Sequence, residues 1–194
     1  MLRVVTPAEH AAHFSESIAR LPHCYQPNDD RRPIGPTPTR AAAGLPDSAF
    51  VFASFNRVEK ITPAVFDLWC TLLRELPHTV LWLLAPEPTA QTHLRREASA
   101  RGIDAARLVF APPLPHTAHL GRLRCADLVL DTFPYNAHTT GSDALWAGVP
   151  MVTRLGPSFA SRVGASLLTA VGLPDLIARS DSDYLDLARR LASE

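Results

Sequence analysis

Residues 128–148 read LVLDTFPYNAHTTGSDALWAG, and this stretch decides how the rest of the chain is organised. Leu128-Val129-Leu130 is a short, wholly apolar run of the kind that forms a buried strand. A turn-rich loop follows, then His138-Thr139-Thr140-Gly141, and then an amphipathic segment whose spacing predicts a helix over 142–147, stopped by Gly148. A strand, a loop of small residues and a helix start together make an anion site. The first turn of a helix carries unpaired N–H groups, and its dipole adds positive potential there. Thr139 and Thr140 offer hydroxyls, Gly141 permits close approach to the backbone, and Asp143, just inside the helix, offers a carboxylate for sugar hydroxyls. Taken alone, the HTTG run reads first as a helix cap by Thr140 or Ser142, and only its surroundings turn it toward an anion site.

Upstream, apolar runs alternate with helical spacing. Ala49 to Phe55 reads as a strand, and Thr62-Pro63 opens a helix carrying Val65, Phe66, Trp69, Leu72, Leu73 and Leu76 on one face. Thr79 to Leu84 is a second strand, 89–101 a polar helix closed by Gly102, Leu108 to Ala111 a third strand and 116–125 a helix. Downstream, a strand is expected at 151–153, a helix at 158–171, a short strand near Leu176-Ile177 and a last helix at 183–191. Strands that are continuously apolar and alternate with helices indicate a parallel sheet covered on both faces, an α/β, doubly wound, Rossmann-like domain. Ligands in such sheets bind beyond the carboxyl ends of the strands, here the loops after Phe55, Phe110 and Asp131.

Before residue 47 the pattern changes. A helix is expected over 7–21, with Phe14, Ile18 and Leu21 on one face. Residues 22–46 are crowded with proline (18 in the whole chain) and form an extended connector. The division expected is therefore 1–46, helix and connector, and 47–194, the Rossmann-like lobe.

Several function classes recede at this stage. The formal net charge is +0, which gives nucleic acid no electrostatic claim as a default partner. No apolar run is long enough for a bilayer and the N-terminus has no signal-peptide core, so a cytoplasmic location is expected. The 3 cysteines are odd in number and far apart, as structural thiols would be. No G-x-G-x-x-G follows the first strand, so a dinucleotide cofactor is not expected. That loop supplies Asn56, Arg57 and Lys60 instead. Lys60 can reach a phosphate as a point charge, or pair with Glu59, or face water. His119 and Arg122, one helical turn apart, can stack on and bond a base, or lie solvated at the surface. A metal set of His116, His119 and His138 lacks a completing carboxylate at usual spacing.

FNRVEKITP (55–63), HLGRLRCADLVLDTFPYNAHTTGSDALWAGVPMVT (119–153), ASRVGASLL (160–168) and LPHCYQPND (21–29) resemble segments of the O-linked N-acetylglucosamine transferase and SPINDLY group, glycosyltransferase family 41. The resemblance covers nearly the whole chain. It implies a GT-B architecture, with this stretch corresponding to the end of the N-terminal catalytic lobe and most of the C-terminal, nucleotide-sugar-binding lobe. It also implies inverting, metal-independent transfer from UDP-GlcNAc to Ser or Thr of an acceptor protein, with the UDP-sugar a substrate and no cofactor. By position, Lys60 would hold the donor diphosphate, and His138, Thr139, Thr140 and Gly141 would cradle the phosphates. His119 would stack near the uracil beside Arg122, the Leu114 backbone would face the base edge, and Asp143 would bind the ribose. His116 stands where many members have Lys, and Arg57 where members often have Gln or Asn. The family's tetratricopeptide repeats and most of its N-terminal lobe find no counterpart, so a partner chain supplying them is expected for transfer. A non-catalytic nucleotide-sugar module, a GDP-fucose-using enzyme and an inert remnant are the competing expectations.

Overall fold

The computed structural model describes residues 4–21 and 23–193. Six parallel strands form the sheet: β1 (Phe50–Ser54), β2 (Thr79–Leu84), β3 (Leu108–Ala111), β4 (Leu128–Leu130), β5 (Met151–Arg154) and β6 (Ile177–Ala178), in the spatial order β3-β2-β1-β4-β5-β6. Side chains alternate faces along each strand, and both faces are dry, which is why the runs read as continuously apolar. Val51, Ala53, Val80, Trp82, Val129 and Met151 pack on one face. Phe52, Leu81, Leu83, Leu128, Leu130 and Val152 pack on the other.

Helices cover each face. On the second lie α1 (Pro63–Glu75), α2 (Pro88–Ala100) and α6 (Asp181–Ser193), through Val65, Phe66, Trp69, Ala98, Tyr184 and Ala188. On the first lie α3 (His116–Leu123), α4 (Thr139–Trp146) and α5 (Val163–Ala170), through Leu120, Leu123, Ala144 and Leu168. Thr62 caps α1 as its sequence predicts, accepting from the Val65 N–H. The chain reverses direction across the sheet between β1 and β4, which are neighbours. The crevice beyond their carboxyl ends is the switch point of the fold, where ligands of such sheets are held.

The N-terminal region departs from expectation. Residues 7–21 do not form an α-helix; Ala8–His13 is a 3-10 segment, and Phe14 and Leu21 are exposed. The apolar spacing there finds no partner face, and a helix without a face to bury is marginal. The segment is held instead by backbone carbonyls: Arg162 donates to Val4 and Arg20 to Thr6. The connector is extended and lies on the lobe, with Ile34, Ala43 and Leu45 joining the core on the α3–α4 side. It meets α3 backbone to backbone: Gly35 donates to the Thr117 carbonyl at 3.0 Å, and a Cβ on Gly121 would fall 2.6 Å from the Pro36 carbonyl oxygen.

Smaller differences matter for the site. α4 begins at Thr139, not Ser142, which places Asp143 in its second turn. The helix expected over 158–171 is a 3-10 turn, Phe159–Ser161, followed by α5, and the last strand is Ile177–Ala178, after a 3-10 turn at Pro174–Leu176. No helix among the described residues is long and apolar enough to cross a membrane.

Candidate functional site

The loops after β1 and β4 enclose a cavity of about 890 Å³, lined by Asn56, Arg57 and Lys60 from the first and by His138, Thr139 and Thr140 from the second, with Phe55, Pro134 and Tyr135 beside them. The two loops are tied by a knot at Asp131. An acidic residue at the end of an all-apolar strand has nowhere to go but inward, and its oxygens must then be bonded. Asp131 Oδ1 accepts from the amides of Thr132 (2.8 Å) and Ala137 (2.6 Å) and from Asn56 Nδ2 (3.3 Å); Oδ2 accepts from Thr153 Oγ1 (2.6 Å). Burial raises its carboxyl from 3.8 to about 6, against the pull of these bonds. A side chain at Gly164 would collide with this knot, its Cβ falling 2.3 Å from Thr153 Oγ1 and 2.5 Å from Asp131 Oδ2.

Asn56 is buried and carries the tie onward. Its Nδ2 donates to Thr132 Oγ1 (2.9 Å) and its Oδ1 accepts from Thr140 Oγ1 (2.5 Å). Asn56 and the Thr140 hydroxyl thus clamp the helix start to the β1 loop. Gly141 looks into the core: a Cβ there would meet Ala137, Leu167 and Met151 at 3.1–3.3 Å, so the missing side chain serves packing, not the approach of a phosphate.

Lys60 ends a 3-10 turn ahead of α1. Its Nζ donates to the Asn136 carbonyl at 2.9 Å and lies 3.9 Å from the Tyr135 ring centroid. Its neighbours are therefore the β4 loop, and no ion pair with Glu59 forms among the described residues. Burial lowers its pKa, with Asp131 pulling the other way. Tyr135 stacks on His138 with centroids 5.2 Å apart and planes at 21°. Lys60 and His138 thus both lie against the Tyr135 ring, and the first N–H groups of α4 open on the same side of the sheet.

His119 and Arg122 share a face of α3, as their spacing predicts, but Arg122 is turned inward. It donates to the Pro112 carbonyl and, at 2.9 Å, to His119 Nδ1, with its guanidinium 5.0 Å from the Phe55 ring. Burial, then Arg122, pushes His119 down to about 4. His119 is neutral at pH 7, with its proton on Nε2, and its ring is 5.4 Å from Phe55, which lines the cavity. Leu114 is exposed, as is much of His116, whose Nε2 is 3.3 Å from Asp143 Oδ2. Asp143 is buried and ion-paired with Arg32 of the connector; Arg32 also approaches Ser142 Oγ at 3.4 Å and the Trp146 ring at 5.2 Å. The cavity therefore gathers six of the twelve expected residues. His116, His119, Arg122 and Asp143 lie around the α3–α4 edge of the same region, with Leu114 beside them and Gly141 beneath.

Sequence reasoning missed the connector's part: Tyr25 OH lies 2.6 Å from His138 Nδ1, Gln26 approaches Thr139 Oγ1 at 3.4 Å, and Asn28 accepts from Ser142 Oγ at 2.7 Å. Only the buried acid on α4 carried a signal, since Asp143 needs a cation from elsewhere in the chain. No group of three or more His, Cys, Asp or Glu side chains suited to a metal ion occurs among the described residues, and Cys24, Cys70 and Cys125 are free thiols.

The family model for glycosyl transferase family 41 matches residues 34–194. The chain is 37% identical over 195 residues to a probable UDP-N-acetylglucosamine–peptide N-acetylglucosaminyltransferase SEC of Arabidopsis thaliana, covering 97% of this chain and 20% of that protein. It is 42% identical over 156 residues to the UDP-N-acetylglucosamine–peptide N-acetylglucosaminyltransferase of Caenorhabditis elegans, covering 80% of this chain and 14% of that protein. Among solved structures, a mutant O-GlcNAc transferase of Thermobaculum terrenum superposes with a TM-score of 0.87 at 35% identity, covering 98% of this chain and 36% of that one. The chain thus spans a fifth or less of these two curated relatives.

Proposed function

The chain belongs to glycosyl transferase family 41, and from that premise we propose that it holds the nucleotide-sugar donor, UDP-GlcNAc, for inverting transfer of the sugar to Ser or Thr hydroxyls of proteins. The observation that carries the proposal is the convergence of Lys60 and the start of α4 on one cavity at the switch point of the sheet. Glycosyl transfer from a nucleoside diphosphate builds negative charge on the departing phosphate. Groups already aimed at that charge in a partly desolvated crevice stabilise the transition state more than the ground state. In this reading Lys60 and the amides of Thr139 and Thr140 take that charge, the role a divalent cation has in other transferases, so the step is metal-independent. His138 contacts the same diphosphate, and Arg57 flanks it. His119, neutral and beside Phe55, stacks near the uracil with Arg122 fixing its tautomer, and the Leu114 backbone meets the base edge. Asp143, with His116 beside it, contacts the ribose.

None of these side chains is assigned as the general base for the acceptor. Calorimetric titration with UDP, UDP-GlcNAc, GDP, GDP-fucose and ADP tests the reading. UDP and UDP-GlcNAc should bind well ahead of the others, and a ligand at 100 times its Kd should stabilise the fold by about 2.7 kcal/mol. Equal affinity for UDP and ADP would refute the donor assignment, and preference for GDP-fucose would transfer it to a fucosyl donor.

A further inference from the structure

Tyr25 lies in the connector, outside the residues matched by the family model and outside the cavity lining. Its ring is set edge-on to His138 (centroids 6.0 Å, planes at 85°) and to Phe159 (5.1 Å, 80°), and it packs with Cys24 against the small cluster of Val5, Val163 and Leu167. The hydroxyl is thereby delivered 2.6 Å from His138 Nδ1, across 113 residues of sequence. The other ring nitrogen of His138, Nε2, is shielded from solvent and has no hydrogen-bond partner among the described residues.

A neutral imidazole has one proton to place. Burial, and then Lys60, hold His138 below its ordinary pKa, so the ring is neutral at pH 7. Burial pushes the Tyr25 phenol up to about 12, so it keeps its proton. Between a phenol and an imidazole, the phenol is the stronger acid and the imidazole nitrogen the stronger base. The O–H therefore donates to Nδ1, and the imidazole proton sits on Nε2. His138 lines the cavity that also presents Lys60 and a helix start, and a buried N–H left without a partner favours any acceptor oxygen that reaches it.

We propose that Tyr25 is a positioning residue for the donor site: by bonding Nδ1 it fixes the Nε2–H tautomer of His138 and reserves that N–H for the diphosphate of a nucleotide sugar. This rests on the donor-binding reading above. Tyr25 touches no substrate itself and acts only through the imidazole.

The test pairs two measurements on the full chain and on Tyr25→Phe, which keeps the ring contacts and removes only the hydroxyl. Two-bond proton–nitrogen spectra of histidine-labelled protein report the His138 tautomer, and calorimetry with UDP reports affinity. The expected results are the Nε2–H tautomer in the wild type, a mixture in the variant, and UDP binding weakened about five- to tenfold in the variant, the effect of losing one hydrogen bond. A purely packing role for Tyr25 would leave both readouts unmoved. An Nδ1–H tautomer in the wild type overturns the proposal whether or not the variant folds. So does wild-type UDP binding that the variant matches. A wild type that binds no UDP overturns the donor reading itself, and the proposal with it.

Discussion

Replacing Asp131 by alanine and by asparagine separates two things that its burial combines, an acceptor and a charge. In the alanine variant the amides of Thr132 and Ala137 and the Asn56 side chain lose their shared acceptor inside the core. Each orphaned buried donor costs about 1–3 kcal/mol, roughly 3–9 kcal/mol for the three, and losing the disfavoured charge returns about 3 kcal/mol, so the net loss expected is about 3 kcal/mol. Asparagine keeps an oxygen for the two amides and turns its NH₂ toward Thr153, whose hydroxyl can accept. One N–H is left over, which is unfavourable. The charge, however, is gone. A carboxyl raised from 3.8 to about 6 marks about 3 kcal/mol of disfavour for the ionised form in the folded chain. The two effects offset, and Asp131→Asn should lie within about 2 kcal/mol of wild type at pH 7. The sign with pH follows from the same shift. Between those two values the folded chain holds a proton that the unfolded chain has released. This group's contribution to wild-type stability therefore rises as pH falls through about 6 and levels off below 3.8; the asparagine variant lacks it. Urea unfolding at pH 7 and pH 5 measures both. An alanine variant within about 1 kcal/mol of wild type, or an asparagine variant as damaged as alanine, would refute the view that the acceptor, and not the charge, holds the β4 loop.

Three other perturbations discriminate as sharply. Arg32→Ala strands the buried Asp143 carboxylate and should destabilise by about 3 kcal/mol, more than Arg32→Ala adds on top of Asp143→Ala, as a double-mutant cycle in urea would measure. Gly164→Ala drives a methyl into Thr153 and Asp131 and should lower stability by about 3 kcal/mol, read from the thermal midpoint. Lys60→Met removes the ammonium from the proposed phosphate site; UDP affinity should fall about tenfold or more by calorimetry while the thermal midpoint stays nearly unchanged, because the buried ammonium is itself disfavoured.

What could be read from the chain before its structure depended on where the constraints lie. β2, Thr79–Leu84, and β4, Leu128–Leu130, are buried on both faces, so their content after Thr79 is wholly apolar and visible. α1 declares itself by Thr62-Pro63 and by its apolar face. The start of α4 was misplaced because Thr140 and Ser142 are ordinary capping residues, whereas the actual N-cap, His138, makes no side-chain cap. Its ring is instead engaged by Tyr25, from a segment with no local relation to it. The connector's pairings with α4 span more than a hundred residues and follow no helical or strand period, so nothing in local spacing announces them. The helix expected over 7–21 failed for the opposite reason: its period was present but no surface received it. At the site, Lys60 and the HTT run were legible as residue types at a strand end and a helix start, while Arg122 and Gly141 were legible only as chemistry, the direction of the Arg122 side chain being settled by Pro112 and His119 and the inward face of Gly141 by the core.

The ring of Tyr135, against which both Lys60 and His138 lie, makes the resting crevice electrostatically quiet. The negative face of the aromatic quadrupole already satisfies the ammonium, by about 0.5–2 kcal/mol for such a pair. An incoming anion that takes Lys60 from that face therefore gains only the difference between a formal charge and a π cloud. Binding of the proposed diphosphate there would be an exchange of partners, its strength set as much by what the tyrosine gives up as by what the anion brings.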